Sequence, residues 1–188
     1  MSAIIENLRE AINGESNAKR KYEIYAERAR EENLPEIAHL FKAISTAEAI
    51  HIKNHIRALE VITNSKVNVE DFVEINEVVL ENNSKDTKLN LIDAINGETY
   101  ETKHMYKNFI KSSKKEGNEV AELSFSLARK AEKVHAKIFS DYLKKLEKHE
   151  IIDTQKIFVC QICGNVEFGI PPSVCPICDH TEKFFKEI

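Results

Sequence analysis

The pentad AINGE occupies residues 11–15 and returns unchanged at residues 94–98, and it is the visible edge of a longer internal duplication. Glu48-x-x-His51 in the first half has its counterpart in Glu132-x-x-His135 in the second. Glu15 precedes Glu48 by 33 positions (48 − 15), and Glu98 precedes Glu132 by 34 (132 − 98), which predicts hairpin loops differing by one residue. Apolar residues around these positions step by three and four: Ile4, Leu8, Ala11, Ala18, Tyr22 in one stripe and Ile37, Phe41, Ile44, Leu59 in the next. Leu91, Ala94, Met105, Phe109 and Ala121, Phe125, Ala128, Phe139 form the third and fourth. That period is helical. Four helices of about 28 residues, each roughly 40 Å long, predict an antiparallel bundle with short loops inside each hairpin and a long connection between them. The connection covers residues 63–86 and is expected to hold a short helix over 72–80. Gly14 and Gly97, both inside helices, predict close approach of another backbone, since a mid-helix glycine costs about 1 kcal/mol against alanine.

The core stripes carry an electrostatic problem. Glu15, Glu48, Glu98, Glu101 and Glu132 all point inward near mid-helix. Carboxylates gathered in a dry interior repel, and each costs several kcal/mol to desolvate. No lysine or arginine on those stripes offsets them, so cations from solution are expected. Glu and His three apart share a helix face, and hard oxygens with one imidazole per metal suit iron or manganese. One Glu from each of two helices, with Glu-x-x-His from each of the others, is the donor set of ferritin-like di-metal proteins. Glu101 breaks the symmetry, because its counterpart is Ala18. The set is therefore Glu15, Glu48, His51, Glu98, Glu101, Glu132 and His135, seven candidates for two metals. His55 also lies on the stripe but matches Phe139 in the repeat, and reads as a boundary residue or one standing behind the ligands.

All four cysteines fall between positions 160 and 178, in two C-x-x-C knuckles, Cys160/Cys163 and Cys175/Cys178, separated by 11 residues. Such a pair builds a tetrahedral sulfur site for iron or zinc, and spacing alone leaves both metals open. Phe158, Phe168, Phe184 and Phe185 are expected to supply a small aromatic core for a module that would hardly fold without its metal. The expected organisation is a bundle over 1–150 and a metal-bound module over 151–188. A net charge of −4 without a basic stripe argues against nucleic acid. No apolar leader or membrane-length run is present, so a cytoplasmic protein free of membrane is the expectation.

Taken together, Gly14-Glu15-Ser16, Glu48-x-x-His51, Gly97-Glu98-x-x-Glu101, Glu132-x-x-His135 and the C-x-x-C-G…C-P-x-C pair resemble the rubrerythrin family over essentially the whole chain. The resemblance implies a mainly α, ferritin-like di-iron bundle followed by a rubredoxin-like domain with one iron on Cys160, Cys163, Cys175 and Cys178. It implies that His51 exchanges with Glu101, carboxylate bound when oxidised and imidazole when reduced. It matches Tyr22 and Tyr106 to tyrosines that hydrogen-bond the ligand carboxylates. With Glu101 and His51 they form the expected catalytic set. Asn165 stands where the family usually has an aromatic residue. The implied activity is a peroxidase: hydrogen peroxide is reduced to water, and electrons arrive through the rubredoxin-type centre from an NAD(P)H-linked reductase or a separate rubredoxin. The implied assembly is a homodimer, head to tail, with one subunit's rubredoxin centre near the other's di-iron site and helices possible to exchange. Two rivals stand beside this: a ferroxidase or iron-handling role, and a scaffold with zinc in either site.

Overall fold

The computed structural model describes residues 2–188. Helix α1 (Ala3–Glu31) starts where the Ser2 side chain accepts a hydrogen bond from the Ile4 amide, and α2 (Pro35–Thr63) starts on proline, whose missing N–H costs nothing at that position. Asn64, at φ +50°, ends α2 in the left-handed conformation that asparagine tolerates. The second hairpin is built from α4 (Thr87–Tyr100), α5 (Tyr106–Lys115) and α6 (Glu119–Glu147), with Asp86 and Asn118 capping α4 and α6. The connection holds a 3-10 turn at Val69–Asp71 and α3 (Glu77–Asn83), so the helix expected over 72–80 is displaced toward the C-terminus, where Asn76 caps it.

Between α4 and α5 the chain makes a π-helical stretch, Glu101–Met105. The single residue by which the two halves differ resides here, not in a loop. The hairpin loops are equal, residues 32–34 and 116–118. The repeat offset is 83 at Glu15/Glu98 (98 − 15) and 84 at Tyr22/Tyr106 (106 − 22) and beyond. A π turn absorbs one extra residue without ending the helix, and Glu101 stands at its start.

Two apolar clusters fill the bundle. One gathers Tyr22, Tyr25, Phe41, Ile44 and Phe139, the other Leu8, Ile12, Leu59, Phe109 and Phe125. Along each long helix the inward glutamate falls between them, so a polar layer divides the core. Gly14 and Gly97 are not explained by backbone approach: an added Cβ on Gly14 would meet nothing within 4 Å, and on Gly97 only Lys21 Nζ at 3.7 Å.

The C-terminal part is a three-stranded antiparallel sheet ordered β2-β1-β3, from β1 (Ile157–Cys160), β2 (Val166–Phe168) and β3 (Phe185–Glu187). Its core is not aromatic as expected. Cys160, Cys163, Cys175 and Ile177 are buried with Ala131 of α6, while the four phenylalanines stay partly exposed and Phe168 packs on Tyr142 of α6. So small a sheet cannot enclose four rings; it spends its interior on sulfur and lays Ile157, Val159 and Val166 against the bundle core. His39 of α2 donates to the Ile188 carbonyl at 2.8 Å, tying the last residue to the helices. No helix among the described residues is long and apolar enough to cross a membrane.

Candidate metal centres

Each long helix delivers its charged side chains from the polar layer. Glu15 (α1), Glu48 and His51 (α2) and Glu132 (α6) bring donor atoms within 4.8 Å of one another, and so do Glu48, Glu98, Glu132 and His135. Glu48 and Glu132 belong to both groups, so either could offer an oxygen to each of two metals. Every one of these side chains is buried. Glu101, the seventh candidate, lies in neither group and is partly exposed.

The donor atoms are close without being satisfied. His51 Nδ1 lies 2.6 Å from Glu132 Oε1 and 2.9 Å from Glu48 Oε2, yet none of these three atoms makes a hydrogen bond. Glu15 Oε2, Glu48 Oε1 and Glu98 Oε2 are likewise buried and unpartnered. Leaving one buried acceptor unsatisfied costs about 1–3 kcal/mol, more for a charged one. A cluster of them fits cations. Without metal, burial and then the charges of Glu132, Glu98 and Glu15 hold the Glu48 carboxyl well above its usual range. Burial, followed by Glu132, takes Glu98 to about 8. Burial opposes charge on His51 and His135, but Glu132 outweighs it and both imidazoles are raised well above their ordinary value.

The far side of each imidazole is fixed by the C-terminal module. His51 Nε2 donates to the Cys163 carbonyl at 3.1 Å, and His135 Nε2 donates to the Gly164 carbonyl at 3.0 Å. With Nε2 donating outward, Nδ1 of each ring is turned to the carboxylates, His135 Nδ1 lying 2.7 Å from Glu132 Oε2, and this is the nitrogen that would be offered to a metal, the usual way an outer hydrogen bond sets a ligand's tautomer. Asn54 of α2 adds a bond to the Ile162 carbonyl at 2.8 Å. Gly164, at φ +77°, sits so close that a Cβ there would come within 2.5 Å of His51 Nε2.

The four cysteines converge as expected. Cys160 and Cys178 sulfurs are 3.7 Å apart, and Cys163 and Cys175 sulfurs 3.6 Å. Those are not disulfide distances; a tetrahedron with metal–sulfur bonds of about 2.3 Å has edges of about 3.8 Å. The neighbouring Cys163 thiol holds Cys160 down to about 5, so one thiolate is already favoured before metal arrives.

Residues 6–152 match the Rubrerythrin family model. The chain is 37% identical to Rubrerythrin-2 of Clostridium acetobutylicum over 175 residues, covering 91% of this chain and 89% of that one. It is 38% identical to Nigerythrin of Nitratidesulfovibrio vulgaris over 185 residues, covering 98% and 86%. The chain belongs to the rubrerythrin family. A solved structure of nigerythrin in a mixed-valence state superposes with a TM-score of 0.87 at 32% identity, covering 100% of this chain and 88% of that one. The cofactor set is accordingly two irons in the carboxylate–histidine layer and one among the cysteines, and the donor sets above fit it. Membership makes this rubrerythrin an iron-dependent oxidoreductase of oxidative-stress defence.

Beyond the seven candidates, Tyr22 donates to Glu98 Oε1 at 2.6 Å and Tyr106 donates to Glu15 Oε1. The module rests on the bundle of its own chain, through the Cys163 and Gly164 carbonyls. Asn165 is buried and donates to Glu167 at 2.8 Å, so it belongs to the module's interior rather than its outer surface. Sequence reasoning passed over Asn54, Ser124 and the docking role of Gly164. The first two gave no signal beyond helical phase; for Gly164 the signal was a glycine beside a cysteine knuckle.

Proposed function

We propose that this rubrerythrin reduces hydrogen peroxide to water in the glutamate–histidine layer, with electrons entering through the four-cysteine centre. The balance is H2O2 + 2 e− + 2 H+ → 2 H2O. The irons that this layer would hold would supply both electrons at one place. Glu15, Glu48, His51, Glu98, Glu132 and His135 are the proposed holders of that iron pair, with Glu48 and Glu132 common to both donor groups. Glu101 is the proposed alternate ligand that exchanges with His51, and the four cysteines hold the third iron.

One observation carries the reading. The knuckle that holds a metal through Cys160 and Cys163 also hydrogen-bonds both site histidines, through the carbonyls of Cys163 and Gly164. A storage or ferroxidase site needs no electron input, so this contact favours the peroxidase over the ferroxidase. Cys163 is one covalent residue plus one hydrogen bond from His51, a short path for one electron at a time. Tyr22 and Tyr106 orient Glu98 and Glu15, leaving their other oxygens for metal, and their own hydroxyls stay protonated because burial and the surrounding glutamates raise both well above the usual phenol range. The units proposed to do this are residues 1–150 for the bundle and 151–188 for the relay module. The proposed electron source is a separate NAD(P)H-linked reductase or rubredoxin, and the proposed assembly is a homodimer.

Replacing Cys160 with serine tests the relay. Reductase-driven peroxide turnover should be lost, while protein reduced chemically beforehand should still be oxidised by peroxide in a single turnover. Steady-state activity surviving in Cys160→Ser would refute the relay, and failure of the reduced wild type to react with peroxide would refute the peroxidase.

A further inference from the structure

The duplication lets the two halves of the site be compared residue by residue. Tyr22 and Tyr106 are equivalent, and each donates to a glutamate of the other half-site. Their surroundings are not equivalent. Tyr22 packs against Phe139 at a ring separation of 5.4 Å, in a buried apolar cluster that also holds Leu40. The positions related to these two by the offset of 84 are His55 (139 − 84) and Ser124 (40 + 84). His55 Nε2 lies 3.0 Å from the Tyr106 hydroxyl, and His55 Nδ1 lies 2.7 Å from Ser124 Oγ. His55 is fully buried, and Ser124 keeps 7% of its surface exposed. The Tyr–Glu bond forms in both halves, so it does not need this polar pair. Burying an imidazole and a hydroxyl where the other half uses Phe and Leu costs free energy unless both are bonded, and here both ring nitrogens are.

The direction of the chain follows from its inner end. The Tyr106 hydroxyl donates to Glu15 Oε1, so its proton points to the site. The Tyr106 oxygen then accepts from His55 Nε2–H, and the bare Nδ1 accepts from the Ser124 hydroxyl. All three donors point inward. Burial holds the His55 imidazole down to about 4, so at neutral pH it is uncharged, with one nitrogen able to give a proton and the other to take one. We propose that Ser124, His55 and Tyr106 form a proton-delivery chain to Glu15, serving only one of the two half-sites. This rests on the peroxidase reading above, which consumes two protons per peroxide. In one transfer the Tyr106 proton moves to Glu15 Oε1, the His55 Nε2 proton moves to the Tyr106 oxygen, and Nδ1 takes the Ser124 proton. Ser124 recovers a proton from water, and the chain is ready again once His55 has given up the Nδ1 proton and taken one at Nε2.

The test uses the iron-loaded, chemically reduced full chain and its oxidation by peroxide in a stopped-flow instrument. The double variant His55→Phe/Ser124→Leu gives this half the packing of the other and should fold. His55→Gln places an amide oxygen toward Ser124 and an amide N–H toward Tyr106, keeping both bonds without a group that relays protons. Both variants should react about 100-fold more slowly, the lower end of what a positioned proton-transfer group contributes, with iron content and the cysteine–iron spectrum unchanged. Nitrogen-15 NMR of wild-type protein should show His55 with Nε2 protonated and Nδ1 bare. Wild-type rates in His55→Gln would reduce His55 to a positioning residue and overturn the relay, as would the Nδ1–H tautomer. If the reduced wild type does not react with peroxide, the peroxidase reading fails by itself. The NMR tautomer then decides the chain alone: Nε2–H supports it and Nδ1–H overturns it.

Discussion

Gly164→Ala puts the docking of the cysteine module under direct strain. At φ +77° an L-residue pays about 1–2 kcal/mol in backbone conformation alone. The new Cβ would also come within 2.5 Å of His51 Nε2, 3.0 Å of its Cδ2 and 3.2 Å of the Ala47 carbonyl oxygen. His51 is 1% exposed and Ala47 belongs to helix α2, so neither neighbour can yield, and the knuckle must lift. Lifting breaks the bonds from His51, His135 and Asn54 to the carbonyls of Cys163, Gly164 and Ile162. At about 0.5–1.5 kcal/mol net for each of the three, their loss shifts docking by about 1.5–4.5 kcal/mol. That corresponds to a docked fraction lowered roughly 10- to 1,600-fold relative to the open form. Gly169→Ala is the control: its φ is +75°, but a Cβ there meets nothing within 4 Å, so it carries the backbone strain without the clash. The assay follows the visible absorption of the cysteine-bound iron after peroxide is mixed with fully reduced protein. Reoxidation should be slowed by an order of magnitude or more in Gly164→Ala and be near wild type in Gly169→Ala. Equal rates in the two variants would refute the claim that this contact carries the electrons.

Glu48→Ala and Glu132→Ala each remove a carboxylate shared by both donor groups, so iron per chain should fall toward the single cysteine-bound ion while helical circular dichroism is kept; unchanged non-thiolate iron would contradict the shared assignment. Metal-free protein should lose stability as pH rises from about 4.5 to about 8. Glu98 is raised to about 8 by burial and Glu132, and a carboxyl raised on folding stabilises the fold only while protonated; His51 and His135, also raised, act in the same direction. Iron should remove that slope, and a flat unfolding curve for apoprotein across this window would contradict it. Glu101→Ala should retain iron in reduced protein and release it on oxidation, and His51→Ala should do the reverse; metal analysis after one oxidation cycle checks both.

Much of this site was legible because helical period and duplication are both long-range regularities. Glu15, Glu48, Glu98 and Glu132 announce themselves as charges on apolar stripes, and Glu-x-x-His on one face needs no tertiary knowledge. The π turn was less visible. A one-residue difference between Glu15–Glu48 and Glu98–Glu132 is the same number wherever the residue is inserted, and loops are the usual place. The jump in offset from 83 to 84 between Glu98 and Tyr106 locates it, but only once the tyrosines are paired as equivalents. The docking of the module was not legible at all, since backbone carbonyls carry most of it and any sequence supplies those. The aromatic core expected of the module failed for a related reason. Phe158, Phe168, Phe184 and Phe185 have the right composition for a core, yet the bundle, absent from a reading of the module alone, is what covers the sheet.

The places where the repeat fails share a location. Glu101 replaces the equivalent of Ala18, His55 that of Phe139, and Ser124 that of Leu40. Through Tyr106 the last two reach Glu15, and Glu15 is the carboxylate whose charge bears most strongly on Glu101. The half containing Glu98 and His135 keeps the apolar version, with Tyr22 enclosed by Phe41 and Phe139. A symmetric bundle needs only Glu and Glu-x-x-His twice to neutralise two cations. Departures from symmetry add cost: a surplus carboxylate, a buried imidazole and a π turn. All of that cost falls on the half-site of Glu15 and His51, which argues that the metal pair is held by both halves while ligand exchange and proton supply are served from one.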